Sequence, residues 1–232
     1  MTGRSTLPPL NVRNARPEDA QAIADLVAKV YPPQLRYTAE IVRGPMTVFP
    51  QGQFLVEDAG QVTGYAATFI TDERTAMSKH TWPEITNEGM ASNHNPAGDW
   101  LYGMEVCVDP DQRGQRIGQR LYVARKRLAI RLKLKGIIFG GRMPSYARHR
   151  KRFPTPEAYL EAAAARKVRD PVISFQRRNG FVPLGVLRNY LPGDTESGDL
   201  AAHMMWRNPN HPDTPSTNVE PPPAFAPDGK TT

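Results

Sequence analysis

The stretch from residue 100 to residue 139 constrains the fold more than any other part of the chain. Residues 100–108 are predicted to form a strand, and Asp109-Pro110 a turn. A long amphipathic helix then leads to strand 137–139, which is apolar on both faces. A strand that reaches the next strand through a helix implies a parallel pair with a right-handed crossover. We therefore expect an α/β (α+β) domain built on a mixed sheet.

Apolar spacing and turn residues divide the rest of the chain. Residues 11–14 read as a strand, 53–57 and 62–71 as a hairpin, and 181–187 and 201–206 as the last two strands. Helical spacing follows Pro17, Thr155 and Asp170. The polar stretch 72–99 reads as a long loop, and Gly136 as the residue that ends the long helix. We expect a disordered lead over 1–10, one domain over 11–207, and a Pro-rich disordered tail over 208–232.

The net charge and the cysteine count limit which partners and which cell compartment are expected. The net charge of +7 favours an anionic partner: nucleic acid, a membrane surface or a phosphorylated cofactor. The single cysteine, Cys107, excludes a disulfide within the chain. The sequence has no run of apolar residues long enough to span a membrane, and we do not expect its first residues to act as a secretory leader. These features together favour a cytoplasmic protein that does not associate with a membrane.

The start of the long helix is a candidate phosphate site. Arg113, Gly114, Arg116 and Gly118 lie where a strand and a turn give way to the helix. Backbone N–H groups at a helix start lack intrahelical partners and bind phosphate oxygens, helped by the helix dipole. Two glycines leave room for a pyrophosphate, and arginine matches phosphate geometry. Glycines at such a place are also ordinary turn residues.

This segment resembles the acetyl-CoA signature of the GNAT superfamily. That signature has Arg or Gln, two residues, Gly, one residue, and then Gly or Ala, after a strand ending in Val-x-Pro. Arg113 takes the first position and Gly118 the last, while Arg116 replaces the middle glycine. The later stretch 174–181, which closes with Gly180-Phe181, resembles the late helix of the same enzymes.

The resemblance covers about residues 11–207 and implies both a fold and a cofactor. The fold is a mostly antiparallel mixed sheet of about six or seven strands, with helices on both faces and central strands splayed to admit coenzyme A. The cofactor is acetyl-CoA, as co-substrate. Its implied contacts are the strand residues Val106, Cys107 and Val108, the helix-start residues Arg113, Gly114, Gln115, Arg116, Ile117 and Gly118, and Asn179. Asn179 also fits a simple cap of its own helix.

The catalytic residues follow partly from the resemblance and partly from the chain itself. GNAT enzymes often use an acid on the strand before the signature as base, which points to Glu105. An amine anchor and a structural partner for an arginine are the other interpretations of Glu105. The family's usual general acid, a tyrosine, is replaced by Gln176. We take Tyr146 as the candidate acid, with Tyr190 and Tyr122 as alternatives.

Three further features have competing interpretations. Arg142 follows a strand end and fits either a substrate carboxylate or a structural ion pair. Cys107 has no visible activating base, so its thiol is expected to pack as a small apolar group. The spacing of His80 and His94 predicts no metal site.

The basic residues of the long helix leave a further choice open. Between Gly114 and Lys135 they are Arg116, Arg120, Arg125, Lys126, Arg127, Arg131, Lys133 and Lys135, with no acid. They fit a solvated basic face, attraction of coenzyme A phosphates at the first turn, or nucleic-acid binding.

The favoured function is transfer of an acetyl group from acetyl-CoA to a primary amine of a small molecule or peptide. The sequence further resembles a GNAT subgroup often fused to a carbon–nitrogen hydrolase (nitrilase-like) domain, through Leu101-Tyr102-Gly103-Met104-Glu105-Val106 and Asn189-Tyr190-Leu191-Pro192. We therefore expect a separate carbon–nitrogen hydrolase as partner. We also expect a homodimer in which edge strands of the two subunits pair. The alternatives are a non-catalytic acyl-CoA-binding regulatory module and, less favoured, a nucleic-acid-binding protein.

Overall fold

The computed structural model describes residues 10–112 and 114–214. Its strands are β1 (Asn11–Asn14), β2 (Phe54–Asp58), β3 (Gln61–Thr71), β4 (Trp100–Val108), β5 (Gly136–Arg142), β6 (Val182–Leu187) and β7 (Ala201–Arg207). Its helices are α1 (Ala20–Val30), α2 (Ala39–Val48), α3 (Glu73–Met77), α4 (Trp82–Thr86), α5 (Ile117–Arg131), α6 (Tyr146–His149), α7 (Pro156–Ala164) and α8 (Pro171–Arg178). Over these ranges, no helix is both long enough and apolar enough to cross a bilayer.

The seven strands form one sheet in the order β1-β2-β3-β4-β5-β7-β6. Only β4 and β5 run parallel, and the other neighbours are antiparallel. The parallel pair is the one that α5 connects, as the strand–helix–strand pattern predicts. The predicted mixed, mostly antiparallel sheet is confirmed.

Apolar side chains cover both faces of the sheet. On one face, which we call the α1 face, Ile23 and Val27 of α1 pack with Tyr65 and Tyr102 of the sheet. On the other, the α5 face, residues of α5, α7 and α8 pack over β5 and β7. Alternate strand residues point to opposite faces, so each central strand contributes to both cores.

The long helix is shorter than predicted. It begins at Ile117 rather than near Gly114, and it ends at Arg131. The chain turns out of it at Lys133, which takes a positive φ of 55°, and the Leu134 N–H returns to the Ala129 carbonyl. Gly136 was expected to end the helix, but it is the first residue of β5, where a Cβ would lie 2.1 Å from the Trp206 carbonyl oxygen.

The basic residues of α5 are not one solvated face. Arg125 and Lys126 are buried, and Lys135 beyond the helix forms ion pairs with Glu73 and Asp99. The exposed members of the set within the described residues are Arg116, Arg127, Arg131 and Lys133. The uniform basic surface that motivated a nucleic-acid interpretation is therefore interrupted.

The stretch 72–99, expected to be a loop, contains the short helices α3 and α4. Asp72 caps α3 by accepting the Thr75 N–H, and Thr81 with Glu84 forms a capping box at the start of α4. Beyond β7, Asn208 is buried and donates to the Leu134 carbonyl. The expected disordered lead and tail lie largely outside the described residues, and the domain boundaries stay a prediction.

Candidate functional site

The two parallel strands separate partway along their length. Their register ends with Tyr102 opposite Ile138, although β4 continues to Val108 and β5 to Arg142. Gly103 and Phe139 are therefore the first residues beyond the last pair. We call the opening between the diverging strand ends the gap, and its closed end at Gly103 and Phe139 the vertex.

A β-bulge in β4 shapes the gap just beyond the vertex. The pairing with β3 shifts so that Thr68 faces Gly103 and Ala67 faces Glu105, which leaves Met104 as the extra residue. The Met104 carbonyl accepts a hydrogen bond from Trp82 Nε1 at 3.0 Å. As a result Glu105 directs its side chain to the α1 face.

Beyond the bulge, β4 offers backbone groups to the gap. The Asp109 N–H bonds the Thr63 carbonyl on β3 at 2.9 Å. Alternate residues of an antiparallel strand direct their peptide groups to opposite sides, so Val106 and Val108 direct theirs into the gap. Cys107, between them, directs its own toward β3. Its thiol is buried, which raises its pKa, as expected for a packed apolar group.

The start of α5 follows directly from this strand. Gly114 and Arg116 have positive φ values of 92° and 58°, a backbone arrangement that gathers N–H groups into a concave anion-binding turn. The first intrahelical bond runs from the Arg120 N–H to the Arg116 carbonyl, so the N–H groups of residues 117–119 lack helical partners. Arg116, which stands in place of the signature's middle glycine, adopts the left-handed conformation, which glycine takes more readily than other residues. Arg113 lies outside the described residues.

The other two helix-start residues have neighbours of their own. Gln115 donates its side-chain amide to Gln112. Gly118 lies in the first turn of α5, where a Cβ would come within 3.1 Å of the Phe175 ring in α8. The glycine therefore allows α8 to pack close to the helix start.

Glu105 is held by two tyrosines that the sequence reasoning did not identify. The Tyr31 hydroxyl donates to Glu105 Oε1 at 2.7 Å, and the Tyr37 hydroxyl donates to Oε2 at 3.1 Å. Burial raises the pKa of Glu105, and these hydrogen bonds only partly offset it. Burial also raises the pKa of both phenols, so each stays protonated as a donor at neutral pH. A carboxylate with a raised pKa is suited to accept a proton.

A cavity of about 20 Å³ lies against Glu105 on the α1 face. Tyr37, Trp82 and Met104 are among its lining residues. A cavity needs roughly 10–15 Å³ to hold one water, so this space suits a single water molecule beside the carboxylate.

The candidate acid Tyr146 lies apart from this cluster. It begins α6, four residues beyond the end of β5, and its ring packs edge-on against Tyr159 with centroids 5.3 Å apart. A second hydroxyl chain is closer to the vertex. There Tyr190 and Tyr102 share a hydrogen bond of 3.0 Å, and Tyr102 in turn contacts His80 Nε2 at 2.7 Å. A catalytic role of Tyr146 stays a prediction.

Gln176 occupies the place expected for the family's tyrosine, on the α5 face of the gap. It is buried against Gly141 of β5, where a Cβ would lie 2.3 Å from Gln176 Nε2. Its Oε1 atom has no hydrogen-bond partner. Tyr122 of α5 lies within hydrogen-bonding reach of Gln176 and Arg125.

Arg142 is engaged by carboxylates of the chain itself. Its Nε donates to Asp194 Oδ2 at 2.7 Å, a second nitrogen reaches Asp194 Oδ1, and Glu196 lies 3.1 Å away. Burial tends to raise the pKa of Asp194, but the hydrogen bonds from Arg142 and Ser197 outweigh burial and lower it. These contacts form an ion pair within the chain, and substrate binding by Arg142 stays a prediction.

Asn179 serves as a cap of α8. Its side-chain amide donates to the Phe175 carbonyl at 2.9 Å, and its own carbonyl accepts from Lys126. Contact with coenzyme A stays a prediction for this residue. In the part of the chain that the structure describes, no group of three or more His, Cys, Asp or Glu side chains could hold a metal ion.

Two curated relatives from Bacillus subtilis (strain 168) resemble this chain. Probable hydrolase YhcX is 40% identical over 197 residues, which cover 85% of this chain and 38% of that protein. Uncharacterized N-acetyltransferase YkwB is 29% identical over 203 residues, covering 86% of this chain and 89% of that protein. This chain therefore spans well under half the length of YhcX. No family model matches the chain.

Solved structures share the fold at low sequence identity. The GphF GNAT-like decarboxylase in complex with isobutyryl-CoA has a TM-score of 0.71 and 22% identity, over 85% of this chain and 99% of that one. The loading GNATL domain of CurA from Lyngbya majuscula has a TM-score of 0.74 and 18% identity, over 87% and 98%. The putative acetyltransferase yncA from Salmonella typhimurium, with its cofactor acetyl-CoA, has a TM-score of 0.52 and 14% identity, over 90% and 100%. The chain has the GNAT fold.

Proposed function

We propose that this protein transfers an acyl group from an acyl-CoA thioester, with acetyl-CoA as the simplest donor, to a primary amine of a small molecule or peptide. The observation that carries the proposal is the gap, which ends at the vertex and opens beside the start of α5. The similarity to the N-acetyltransferase YkwB and to the neighbours described with acyl-CoA or acetyl-CoA supports an acyl-CoA-dependent acetyltransferase.

The donor would lie on the gap and on the helix start. The pyrophosphate fits the N–H groups around Gly114 and residues 117–119, where the helix dipole favours negative charge. The pantetheine arm fits the outward peptide groups of Val106 and Val108. Such backbone donors can also hydrogen-bond the thioester carbonyl and stabilise the oxyanion that forms during attack.

The acceptor would approach from the opposite face of the sheet. Glu105 lies there, beside the cavity that suits one water. We assign Glu105 as the base that takes the proton from the attacking amine, directly or through that water. The amine nitrogen then bonds to the carbonyl carbon and the C–S bond breaks. The thiolate takes up the released proton.

A charge change at the helix start tests donor binding. Gln119→Glu adds a carboxylate to the first turn of α5 without changing side-chain size, and such a charge favours the helix. Repulsion of the pyrophosphate should weaken acetyl-CoA binding by roughly tenfold or more. Calorimetry measures the affinity, with Gln51→Glu, the same change at an exposed position of the short 3-10 helix Pro50–Gly52, as the matched control. Equal binding by both variants would place the phosphates elsewhere, and no binding by folded wild type would refute donor use altogether.

The pH profile tests the base. Because the pKa of Glu105 is raised, kcat/KM should fall on acidification at a pH above the usual range of glutamate, about 4.3. Tyr31→Phe removes a hydrogen bond that lowers this pKa, so the acidic limb should move to higher pH. Tyr37→Phe should move it in the same direction. Release of free thiol from acetyl-CoA, followed over a screen of primary amines and then against pH, measures both. An acidic limb unmoved in both variants contradicts the assignment.

Other expectations stay predictions. They are the cytoplasmic location, a separate carbon–nitrogen hydrolase as partner, and a homodimer. YhcX is described as a probable hydrolase, and this chain matches only 38% of it. We therefore propose that this protein works together with a separate hydrolase, and copurification of the two proteins would test this.

A further inference from the structure

A buried arginine lies at the vertex of the gap. Arg125 projects from α5, is 1% exposed, and its guanidinium lies 4.4 Å from the centre of the Tyr122 ring and 5.6 Å from that of Phe139. A Cβ at Gly103 would lie 2.6 Å from Arg125 Nη1. Gly103 and Phe139 are the two residues where the strands begin to diverge, so the charge lies at the closed end of the gap.

This guanidinium has unused hydrogen-bonding capacity. Nε and Nη2 of Arg125 are buried without a hydrogen-bond partner. These two nitrogens direct N–H bonds to the same side of the guanidinium, the side on which a carboxylate accepts two parallel hydrogen bonds. Among the described residues, no carboxylate forms an ion pair with Arg125.

The surroundings add positive charge rather than neutralise it. The next residue, Lys126, is also buried, and burial together with the charge of Arg125 lowers its pKa to about 8. A buried charge without a partner is costly, and replacement of buried ionic groups by apolar residues is often neutral or stabilising. The fold thus retains, at the vertex, a cation that contacts the Tyr122 and Phe139 rings but forms no ion pair with a carboxylate of the described residues.

We propose, resting on the function proposed above, that the acyl group of the donor carries a carboxylate, which pairs with Nε and Nη2 of Arg125 at the vertex. The donor class is then a short dicarboxylic acyl-CoA such as malonyl-CoA or succinyl-CoA. Strand residues advance about 3.3 Å each, and the bulge at Met104 shortens the step between Gly103 and Glu105, so a thioester near Glu105 lies within about 7 Å along β4 from Gly103. A short acyl chain and the arginine side chain bridge that distance together.

The transfer balances without any further reactant. The amine nitrogen bonds to the thioester carbonyl carbon, the C–S bond breaks, and the proton lost by the amine passes to the thiolate through Glu105. The product amide keeps the free carboxylate, and coenzyme A leaves as the thiol.

Binding of a donor series tests the proposal. Calorimetry with free CoA, acetyl-CoA, malonyl-CoA and succinyl-CoA would be run on wild type, Arg125→Met, Arg125→Lys and Arg127→Met. Arg127 lies on the same helix but is exposed, so it is the matched control. Wild type and Arg127→Met should bind a carboxylated donor at least tenfold tighter than acetyl-CoA. Arg125→Met should lose that preference while still binding acetyl-CoA, and Arg125→Lys, with charge but no paired donors, should lie between.

Thermal unfolding gives a second readout. Arg125→Met should unfold at a temperature no lower than wild type, because it removes an unpaired buried charge at similar side-chain volume. Malonyl-CoA or succinyl-CoA should raise the wild-type midpoint more than acetyl-CoA does at equal concentration. Equal affinity of wild type for acetyl-CoA and both carboxylated donors would overturn the inference and leave the proposed function intact. No binding of any of the four ligands would overturn both.

Discussion

Glu105→Gln should lower kcat by about 10²–10⁴-fold while leaving the affinity for the acyl-CoA donor nearly unchanged. The amide keeps the size of the carboxylate and can still contact Tyr31 and Tyr37, but it cannot take a proton from the attacking amine. The donor contacts proposed above are the β4 backbone beyond Glu105, the start of α5 and Arg125, and none of them uses the Glu105 side chain. The loss should therefore appear in the chemical step, measured as thiol release at saturating donor and amine.

Glu40→Gln is the matched control for this variant. It makes the same chemical change in α2, at an exposed residue. Glu40→Gln should keep wild-type kcat. A Glu105→Gln protein with intact kcat and a raised KM for the amine would identify Glu105 as an amine anchor instead of the base. If Glu105→Gln keeps both the wild-type kcat and the wild-type KM for the amine, Glu105 takes no part in the reaction.

The strand–helix–strand core was predictable because its signals are local. Apolar runs at 100–108 and 137–139, and the turn at Asp109-Pro110, each lie within a few residues of the structure they specify. The gap itself follows from the family resemblance. Its detailed shape depends on the bulge at Met104, and nothing in the local apolar pattern of β4 marks an extra residue.

The two tyrosines on Glu105 were not predictable from spacing. Tyr31 lies 74 residues from Glu105 in the chain, and Tyr37 lies 68 residues away. Both belong to the connection between α1 and α2, whose position over β4 is set by packing on the α1 face. The available signal was two aromatic residues flanking a Pro-Pro turn at residues 32–33, which alone does not specify a partner.

The helices in residues 72–99 show a signal that was present and missed. Each has five residues, too few for apolar periodicity to appear. The capping pattern was nevertheless in the sequence, as Asp72 three residues before Thr75 and Thr81 three residues before Glu84. Capping residues thus identify short helices that hydrophobic spacing cannot.

Asp194→Ala should destabilise the folded protein by about 3 kcal/mol, at the lower end of the cost of breaking a buried ion pair by removing one partner. Asp194 is 1% exposed, whereas the Arg142 side chain keeps 21% of its surface exposed, so the guanidinium left behind retains some solvation and its contact with Glu196. The lowered pKa of Asp194 makes its contribution complete above about 3.9, the unfolded value, and lost as the pH falls through the folded value. Chemical denaturation at pH 7 and pH 3 measures both effects. Between these pH values the free energy of unfolding should fall less in Asp194→Ala than in wild type.

The same ion pair links the end of β5 to the candidate base. The Arg142 guanidinium lies 5.7 Å from the centre of the Tyr31 ring, and its charge helps to lower the pKa of Glu105. Arg142→Gln should therefore destabilise the fold non-additively with Asp194→Ala, because each variant breaks the same pair. It should also move the acidic limb of kcat/KM to higher pH, since the carboxylate of Glu105 loses a nearby positive charge. Additive destabilisation with an unmoved limb would instead leave Arg142 free to serve a substrate carboxylate, and the pair with Asp194 would then be incidental to the site.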